Sequence, residues 1–212
     1  MSAPQSYYVP VDTGEAEFTE KRSRFLGHVR RVETEAEARA FLDEMRKKYY
    51  DARHNCWCYV LHEGGVVRYG DDGEPQGTAG QPMLNVFQRE GVENVVCVVT
   101  RYFGGVLLGA GGLTRAYAKS AKDALDAAGK ARMRLWSAVT VDCPYPMLER
   151  LKLLAAAHGG TVEGTDFGAA VSVRILLPQE NAAGFDAALT ELSAGTMTAR
   201  REGERFLPGP RE

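Results

Sequence analysis

The chain has 212 residues, of which 44% are hydrophobic and 25% are charged, a balance typical of folded globular proteins. Its net charge of −2 argues against a protein that coats nucleic acid indiscriminately but leaves room for a local basic patch. No apolar run approaches the ~20 residues of a membrane-spanning helix and the first residues lack a secretory signal, so we expect a cytoplasmic protein whose four cysteines remain thiols.

The first 134 residues carry the pattern of an α/β sandwich. Strands are predicted at residues 16–20 and 25–32, and a capping box of Thr34 and Glu37 marks the start of the helix that follows. The apolar face of this helix is formed by Ala38, Phe41, Leu42 and Met45. The later patterns predict a hairpin of residues 55–61 and 66–69, a short helix at 82–89, a buried strand at 94–100 and a long helix from about 114 to 129.

Residues 135–212 are predicted to form a second domain. The segments follow the order βαββαβ, with strands at 139–143, 160–165, 169–177 and 197–206 and helices at 146–158 and 182–193. This order is typical of a ferredoxin-like domain, an antiparallel sheet with both helices on one face. The expected fold class is therefore α+β. The polar N-terminal lead and the tail of Pro208, Gly209 and Pro210 are expected to be mobile.

Two glycine-rich stretches, residues 71–82 and 101–117, flank the predicted buried strand. In the second stretch, backbone N–H groups and a helix start would converge, which favours binding of an anion such as phosphate. Neither stretch fits the GxGxxG or GK[ST] nucleotide motifs, and close packing of the helix on the sheet is the alternative explanation. The candidate phosphate-binding residues are Arg101, Gly104, Gly105, Gly109, Gly111, Gly112, Arg115 and Lys119.

Basic and aromatic residues also lie side by side at residues 21–25 and 101–103. Single-stranded RNA is recognised by aromatic rings that stack on bases and by cations that bind phosphates. This pattern makes Lys21, Arg22 and Arg24 candidate RNA contacts. The alternatives are a solubilising edge strand for residues 21–24 and core packing for Phe25 and Phe103.

Polar residues near the first glycine stretch form a possible functional cleft, namely His54, Asn55, Asp72, Glu74 and Thr78. The carboxylates of Asp71, Asp72 and Glu74 could bind a divalent cation, but turn formation explains the same residues. On an extended strand His54, Cys56 and Cys58 share one face, yet the chain offers no second ligand pair for zinc, which favours buried thiols. We expect no metal and no cofactor, and no catalytic residue is assigned.

Taken together, these motifs resemble the YigZ/IMPACT family. The resemblance is carried by residues 21–25 (KRSRF), 54–56 (HNC), 71–75 (DDGEP), 77–82 (GTAGQP), 98–105 (VVTRYFGG) and 108–113 (LGAGGL). It covers the chain through about residue 130, and the following domain resembles the small ferredoxin-like module of bacterial members. The sequence departs from the family pattern at Arg53, Cys58 and Gln76, where Thr, a small residue and Ser are usual.

The resemblance implies a left-handed βαβα sandwich similar to domain IV of elongation factor G and to the second domain of a small-subunit ribosomal protein. The second domain is implied to be similar to domain V of the same factor. Eukaryotic members of the family regulate translation by interfering with activation of an amino-acid-starvation kinase through its ribosome-bound coactivator. The resemblance carries over no catalytic residue.

Three hypotheses for the function remain open at this point. The first is a non-enzymatic protein that associates with RNA or the ribosome, has a protein partner in translational control and makes no membrane contact. The second is an enzyme that binds a small phosphorylated substrate or nucleotide at the glycine-rich loops, with Asp72 or Glu74 as the metal or base carboxylate. The third is a protein-interaction adaptor without nucleic-acid contact.

Overall fold

A computed structural model describes residues 7–212, and the first six residues of the polar lead lie outside that range. The chain forms two compact units. One unit extends to Met133 and includes Pro208–Glu212, and the other is Arg134–Leu207. The structure thus groups the last five residues with the first unit, whereas the sequence prediction assigned them to the second domain. The predicted α+β class is confirmed, with two sheets and five α-helices in the described residues.

The first unit is built on a sheet whose neighbouring strands are all antiparallel. Buried apolar side chains on the central strand β6 face both sides of the sheet, as expected for a strand covered on both faces. A short strand, β1 (Tyr8–Pro10), lies outside this sheet and pairs with residues 130–132 of β7. The sheet order is β2 (Gly14–Glu20), β3 (Ser23–Arg31), β6 (Val95–Tyr102), β4 (His54–Leu61) and β5 (Val66–Gly70).

Helices cover the two faces of this sheet. Helix α1 (Glu35–Lys48) packs on one face, and its predicted capping box is confirmed because Thr34 Oγ1 accepts from the Glu37 N–H (3.2 Å). Helices α2 (Gly80–Glu90) and α3 (Ala110–Ala128) pack on the other face, around a core that contains Phe25, Phe87 and Tyr117. Both glycine-rich stretches therefore lead into helices on the same face of the sheet.

The second unit has the predicted βαββαβ order. Strand β7 (Lys130–Cys143) begins in the first unit, and its later residues pair with β9 (Val171–Pro178), which also pairs with β8 (Thr161–Phe167). Helices α4 (Leu148–Ala157) and α5 (Ala182–Ser193) contribute Leu151, Phe185 and Leu189 to the core of this unit.

The C-terminal tail differs from its prediction. The sequence predicts a mobile tail at Pro208, Gly209 and Pro210, but these residues belong to β10 (Ala199–Arg211), which pairs with β7. The N–H of Glu212 continues this contact by donating to the Lys130 carbonyl oxygen (2.8 Å). None of the helices in residues 7–212 is long and apolar enough to cross a membrane.

Candidate functional site

The first glycine-rich stretch is organised by the carboxylate of Asp71. Its Oδ1 accepts from the N–H groups of Ala79 (3.1 Å) and Gly80 (2.8 Å), and its Oδ2 accepts from Gly77 (2.8 Å). The buried hydroxyl of Thr78 donates to the Pro75 carbonyl oxygen (2.6 Å). Asp71 therefore caps the start of α2 from nine residues away, which the sequence pattern did not reveal because no local capping motif precedes that helix.

Residues of the predicted polar cleft form hydrogen bonds that connect this loop to β4. Asp72 Oδ2 accepts from the Asn55 N–H (2.7 Å), and Nδ1 of His54 donates to the Asp72 carbonyl oxygen (2.9 Å). The side chain of Asn55 is in turn buried, with Oδ1 accepting from Thr100 Oγ1 (2.7 Å). His54 and Asn55 thus lie together with Asp72, to which each of them donates a hydrogen bond.

A buried ion pair connects the two glycine-rich stretches. Arg101 Nη1 donates to Glu74 Oε1 (2.6 Å), and the same oxygen accepts from Tyr117 Oη (2.8 Å). Arg101 Nη2 lies 3.2 Å from Ser23 Oγ, to which it donates. The side chains of Arg101 and Glu74 are only 6% and 4% exposed. Arg101, which was expected at a phosphate-facing surface, is therefore buried and neutralised in the core.

The thiols of this region are not poised as nucleophiles. Burial raises the pKa of Cys56 well above its usual value, and Sγ of Cys56 donates to the Asp71 carbonyl oxygen (2.9 Å). Burial also raises the pKa of Tyr117, so that both groups keep their protons at neutral pH. Cys58 and Cys97 lie opposite each other in the same core. No cluster of three or more His, Cys, Asp or Glu side chains within residues 7–212 could hold a metal ion.

The second glycine-rich stretch packs against the basic turn between β2 and β3. Lys21 and Arg22 occupy the two central positions of this turn, with positive φ angles of 44° and 65°. A Cβ atom at Gly104 would lie 1.9 Å from the Arg22 carbonyl oxygen, so only glycine allows this approach. The Gly104 N–H donates to Ser23 Oγ (3.3 Å). Two segments about 80 residues apart in sequence are thereby held together.

The start of α3 lies beside this turn and is left open. Gly109 occupies its N-cap with φ +73°, no side chain of residues 7–212 caps the N–H groups of the first turn, and this turn contains no acidic residue. Gly105 likewise has a positive φ of 82° and free space around it, and Gly111 is exposed. A cavity of about 160 Å³ here is lined by Phe18, Glu20, Lys21, Leu108, Gly112, Arg115, Ala116 and Lys119.

The predicted cations fall into two groups. Lys21, Arg22 and Arg115 are exposed and form no ion pair with any described residue. Arg24 forms a bidentate pair with Glu17 (2.5 and 3.0 Å), and Lys119 pairs with Asp123. The unpaired group retains its full charge for an external anion.

Apolar side chains are also exposed in the second glycine-rich stretch. Phe103 is 50% exposed and Leu107 is 82% exposed, whereas Phe25 is fully buried. The guanidinium carbon of Arg101 lies 5.5 Å from the ring centroids of both Phe25 and Phe103. The sequence did not single out Leu107, since an apolar residue in a predicted loop gives no sign of its exposure.

Comparisons with known proteins match both units. The Impact N-terminal domain model matches residues 21–125, and a domain of unknown function (DUF1949) matches residues 141–196. The chain is 35% identical to the IMPACT family member YvyE of Bacillus subtilis, covering 94% of this chain and 92% of that protein. It is also 35% identical to the IMPACT family member YigZ of Escherichia coli K12, over 84% of this chain and 88% of that protein.

Further matches include a eukaryotic protein and a solved structure. The protein named IMPACT from Rattus norvegicus is 31% identical over 112 residues, which cover 51% of this chain and 35% of the rat protein. A crystal structure described as that of a hypothetical protein has 33% sequence identity and a TM-score of 0.58, covering 92% of this chain and 96% of its own.

Proposed function

This chain belongs to the IMPACT family, and on that premise we propose that it is a cytoplasmic, non-enzymatic regulator of translation that associates with RNA or the ribosome. The proposed contact surface, here called the glycine-loop surface, consists of Lys21, Arg22, Arg115, Lys119 and residues 103–112. It lies within the segment matched by the Impact N-terminal domain.

One observation carries this proposal. Lys21, Arg22 and Arg115 are exposed, lie on segments that pack around Gly104 and the start of α3, and lack any carboxylate partner in the described chain. Unpaired cations grouped beside free backbone N–H groups attract phosphate, whatever the net charge of the whole protein. The role of eukaryotic family members in translation supports RNA of the translation apparatus as the source of that phosphate.

Binding of a small phosphorylated molecule is a second candidate, supported by the cavity of about 160 Å³ beside Arg115. An enzyme would also need a free carboxylate for a metal ion or as a base. Asp72 and Glu74, the candidates for this role, are engaged by Asn55 and by Arg101 with Tyr117. Saturable thermal stabilisation by nucleotides or sugar phosphates with Mg²⁺ would favour this candidate.

The proposal is tested by co-sedimentation with ribosomes and their subunits across a salt series. Each phosphate contact releases counterions, so binding should fall steeply as salt rises. The variant Lys21→Glu/Arg115→Glu should lose binding at all salt concentrations.

The matched control is Lys47→Glu/Arg89→Glu, which reverses two exposed cations that form no ion pair within residues 7–212 and lie outside the glycine-loop surface. This control should sediment like the wild type, and thermal unfolding should confirm that both variants fold. No binding by the wild type at low salt would refute direct ribosome contact, and equal losses in both variants would refute the assigned surface. An adaptor that works only through proteins would give the first of these results.

A further inference from the structure

We propose that the glycine-loop surface binds unpaired rather than double-stranded RNA, with one base stacked on the ring of Phe103. This inference rests on the proposed function and names its ligand more closely.

The ring of Phe103 is held in position by its contact with Arg101. Arg101 is anchored by Glu74 at 2.6 Å and by Ser23 at 3.2 Å, in a site that is almost closed to water. Its guanidinium lies 5.5 Å from the Phe103 ring centroid, a cation–π contact. The ring is therefore positioned by a side chain that cannot easily move, and less conformational entropy is lost when a ligand stacks on it.

The second argument is that Phe103 is available to a ligand. Phe103 is 50% exposed, in contrast to the buried Phe25, whose ring centroid lies at the same distance of 5.5 Å from this guanidinium. An exposed aromatic ring beside cations can stack on a base only if that base has left its duplex. The ring therefore selects unpaired strands.

The third argument is charge. Residues 103–112 contain no acidic side chain, and Lys21, Arg22 and Arg115 beside them form no ion pair in the part of the chain that the structure describes. Glu20 is the acidic residue that lines the neighbouring cavity. This excess of positive charge next to an aromatic ring suits a polyanion with exposed bases better than the largely neutral surface of a protein partner.

The test is fluorescence anisotropy with two labelled RNAs across a salt series. One is an oligouridine of about 12 nucleotides, within the usual range of single-strand site sizes, and the other is a fully paired duplex of similar charge. The wild type should bind the oligouridine more tightly. Phe103→Ala should lower that affinity about tenfold without changing the salt slope, and Phe103→Trp should retain it.

The matched control is Leu107→Ala, which removes an apolar side chain from the same exposed loop and should change affinity little. An equal loss of RNA affinity in Leu107→Ala and Phe103→Ala would overturn base stacking on Phe103. Equal affinity of the wild type for both RNAs would also overturn the inference. The proposed function would still be supported in that case if Lys21→Glu/Arg115→Glu reduced the salt dependence of binding. Absence of binding to either RNA at low salt would refute both.

Discussion

Among the side-chain contacts described above, loss of the ion pair of Glu74 and Arg101 should lower the free energy of unfolding most. Removing one partner of a buried pair leaves the other charged and unsolvated, at a cost of about 3–5 kcal/mol. We therefore expect Glu74→Ala to lower the free energy of unfolding by about this amount, measured by urea denaturation. Glu74→Gln should be milder, since its amide oxygen can still accept from Arg101 and Tyr117.

The control for this prediction is Glu44→Gln, which breaks the exposed pair of Glu44 with Arg30 (2.8 Å). Exposed pairs contribute little to stability, so the urea midpoint should barely move. If Glu74→Ala and Glu44→Gln gave the same small shift, Arg101 would have to be solvated in the folded protein.

Acid should destabilise the protein through His28. Burial lowers the pKa of His28, and neither ring nitrogen has a hydrogen-bond partner among residues 7–212, although Glu15 Oε1 lies 3.4 Å from Nδ1. The unfolded chain therefore takes up a proton below pH about 6.5 that the folded chain resists. Stability should be unaffected above that pH and fall below it, by up to about 1.4 kcal/mol per pH unit until the folded pKa is reached.

The measurement is the unfolding midpoint of the wild type and of His28→Gln between about pH 7.5 and pH 5. His54, His62 and His158 are common to both chains. The free energy of unfolding of the wild type, relative to that of His28→Gln, should therefore decrease as the pH falls, because of His28 alone. Parallel pH profiles for the two proteins would show that His28 takes up its proton as readily in the folded chain as in the unfolded chain.

The sequence indicated which site residues lie close together better than it indicated which of them are buried. The pattern brought together Asp72, His54 and Asn55, and the structure does the same. It could not tell that Arg101 is buried, because a cation at the end of a strand becomes a core residue only when a distant carboxylate, here Glu74, lies opposite. Tyr117 could have been noticed, since it falls on the apolar face of α3 and a buried tyrosine needs a hydrogen-bond partner.

At the scale of elements, the connection from β6 to α3 depends on Gly104. Because a Cβ there would meet the Arg22 backbone at 1.9 Å, Gly104→Ala must displace either the loop or the β2–β3 turn. We expect a loss of about 1–3 kcal/mol in the free energy of unfolding, typical of overpacking, measured by urea denaturation.

Gly111→Ala is the contrasting variant in the same stretch. The nearest atom to its Cβ would be Arg115 Nη1 at 3.5 Å, and Gly111 lies in the first turn of a helix. Alanine there should leave stability unchanged or raise it by up to about 1 kcal/mol. Similar destabilisation by both substitutions would mean that the contact with the Arg22 backbone does not set Gly104 apart from the other glycines of this stretch.

Element types were predicted well where the local pattern is strong, and element ends were not. The capping box and apolar face of α1 are local features, and the helix is found where they place it. Helix α3 begins at Ala110, before its predicted start near residue 114, because the glycines at its start conceal a helix from propensity arguments. The early part of β7 was missed because its pairing with β1 joins residues more than 100 apart.

At the scale of the whole chain, the C-terminal tail completes the first unit. Arg211 Nη1 pairs with Asp12 (3.1 Å) and its Nη2 donates to the Ala127 carbonyl oxygen (2.9 Å). A chain ending after Leu207 loses these contacts, and we expect the first unit to melt a few degrees lower, as measured by calorimetry. The prolines at 208 and 210 suggested a frayed end because a local pattern carries no sign of a distant strand partner.

The control is Arg211→Ala in the full chain, which should reproduce part of the loss, since the Glu212 N–H can still donate to Lys130. An unchanged melting temperature in the shortened chain would show that the tail contributes nothing to the stability of the first unit.

Selection for stability would favour replacement of Lys21 and Arg22 in the turn between β2 and β3. Both residues have positive φ angles of 44° and 65°, where Asn-Gly is the favoured pair. Each non-glycine residue in that conformation costs about 1–2 kcal/mol. A laboratory selection for heat resistance alone would therefore enrich Asn-Gly at this turn. The selected variants would lack two of the exposed cations of the glycine-loop surface.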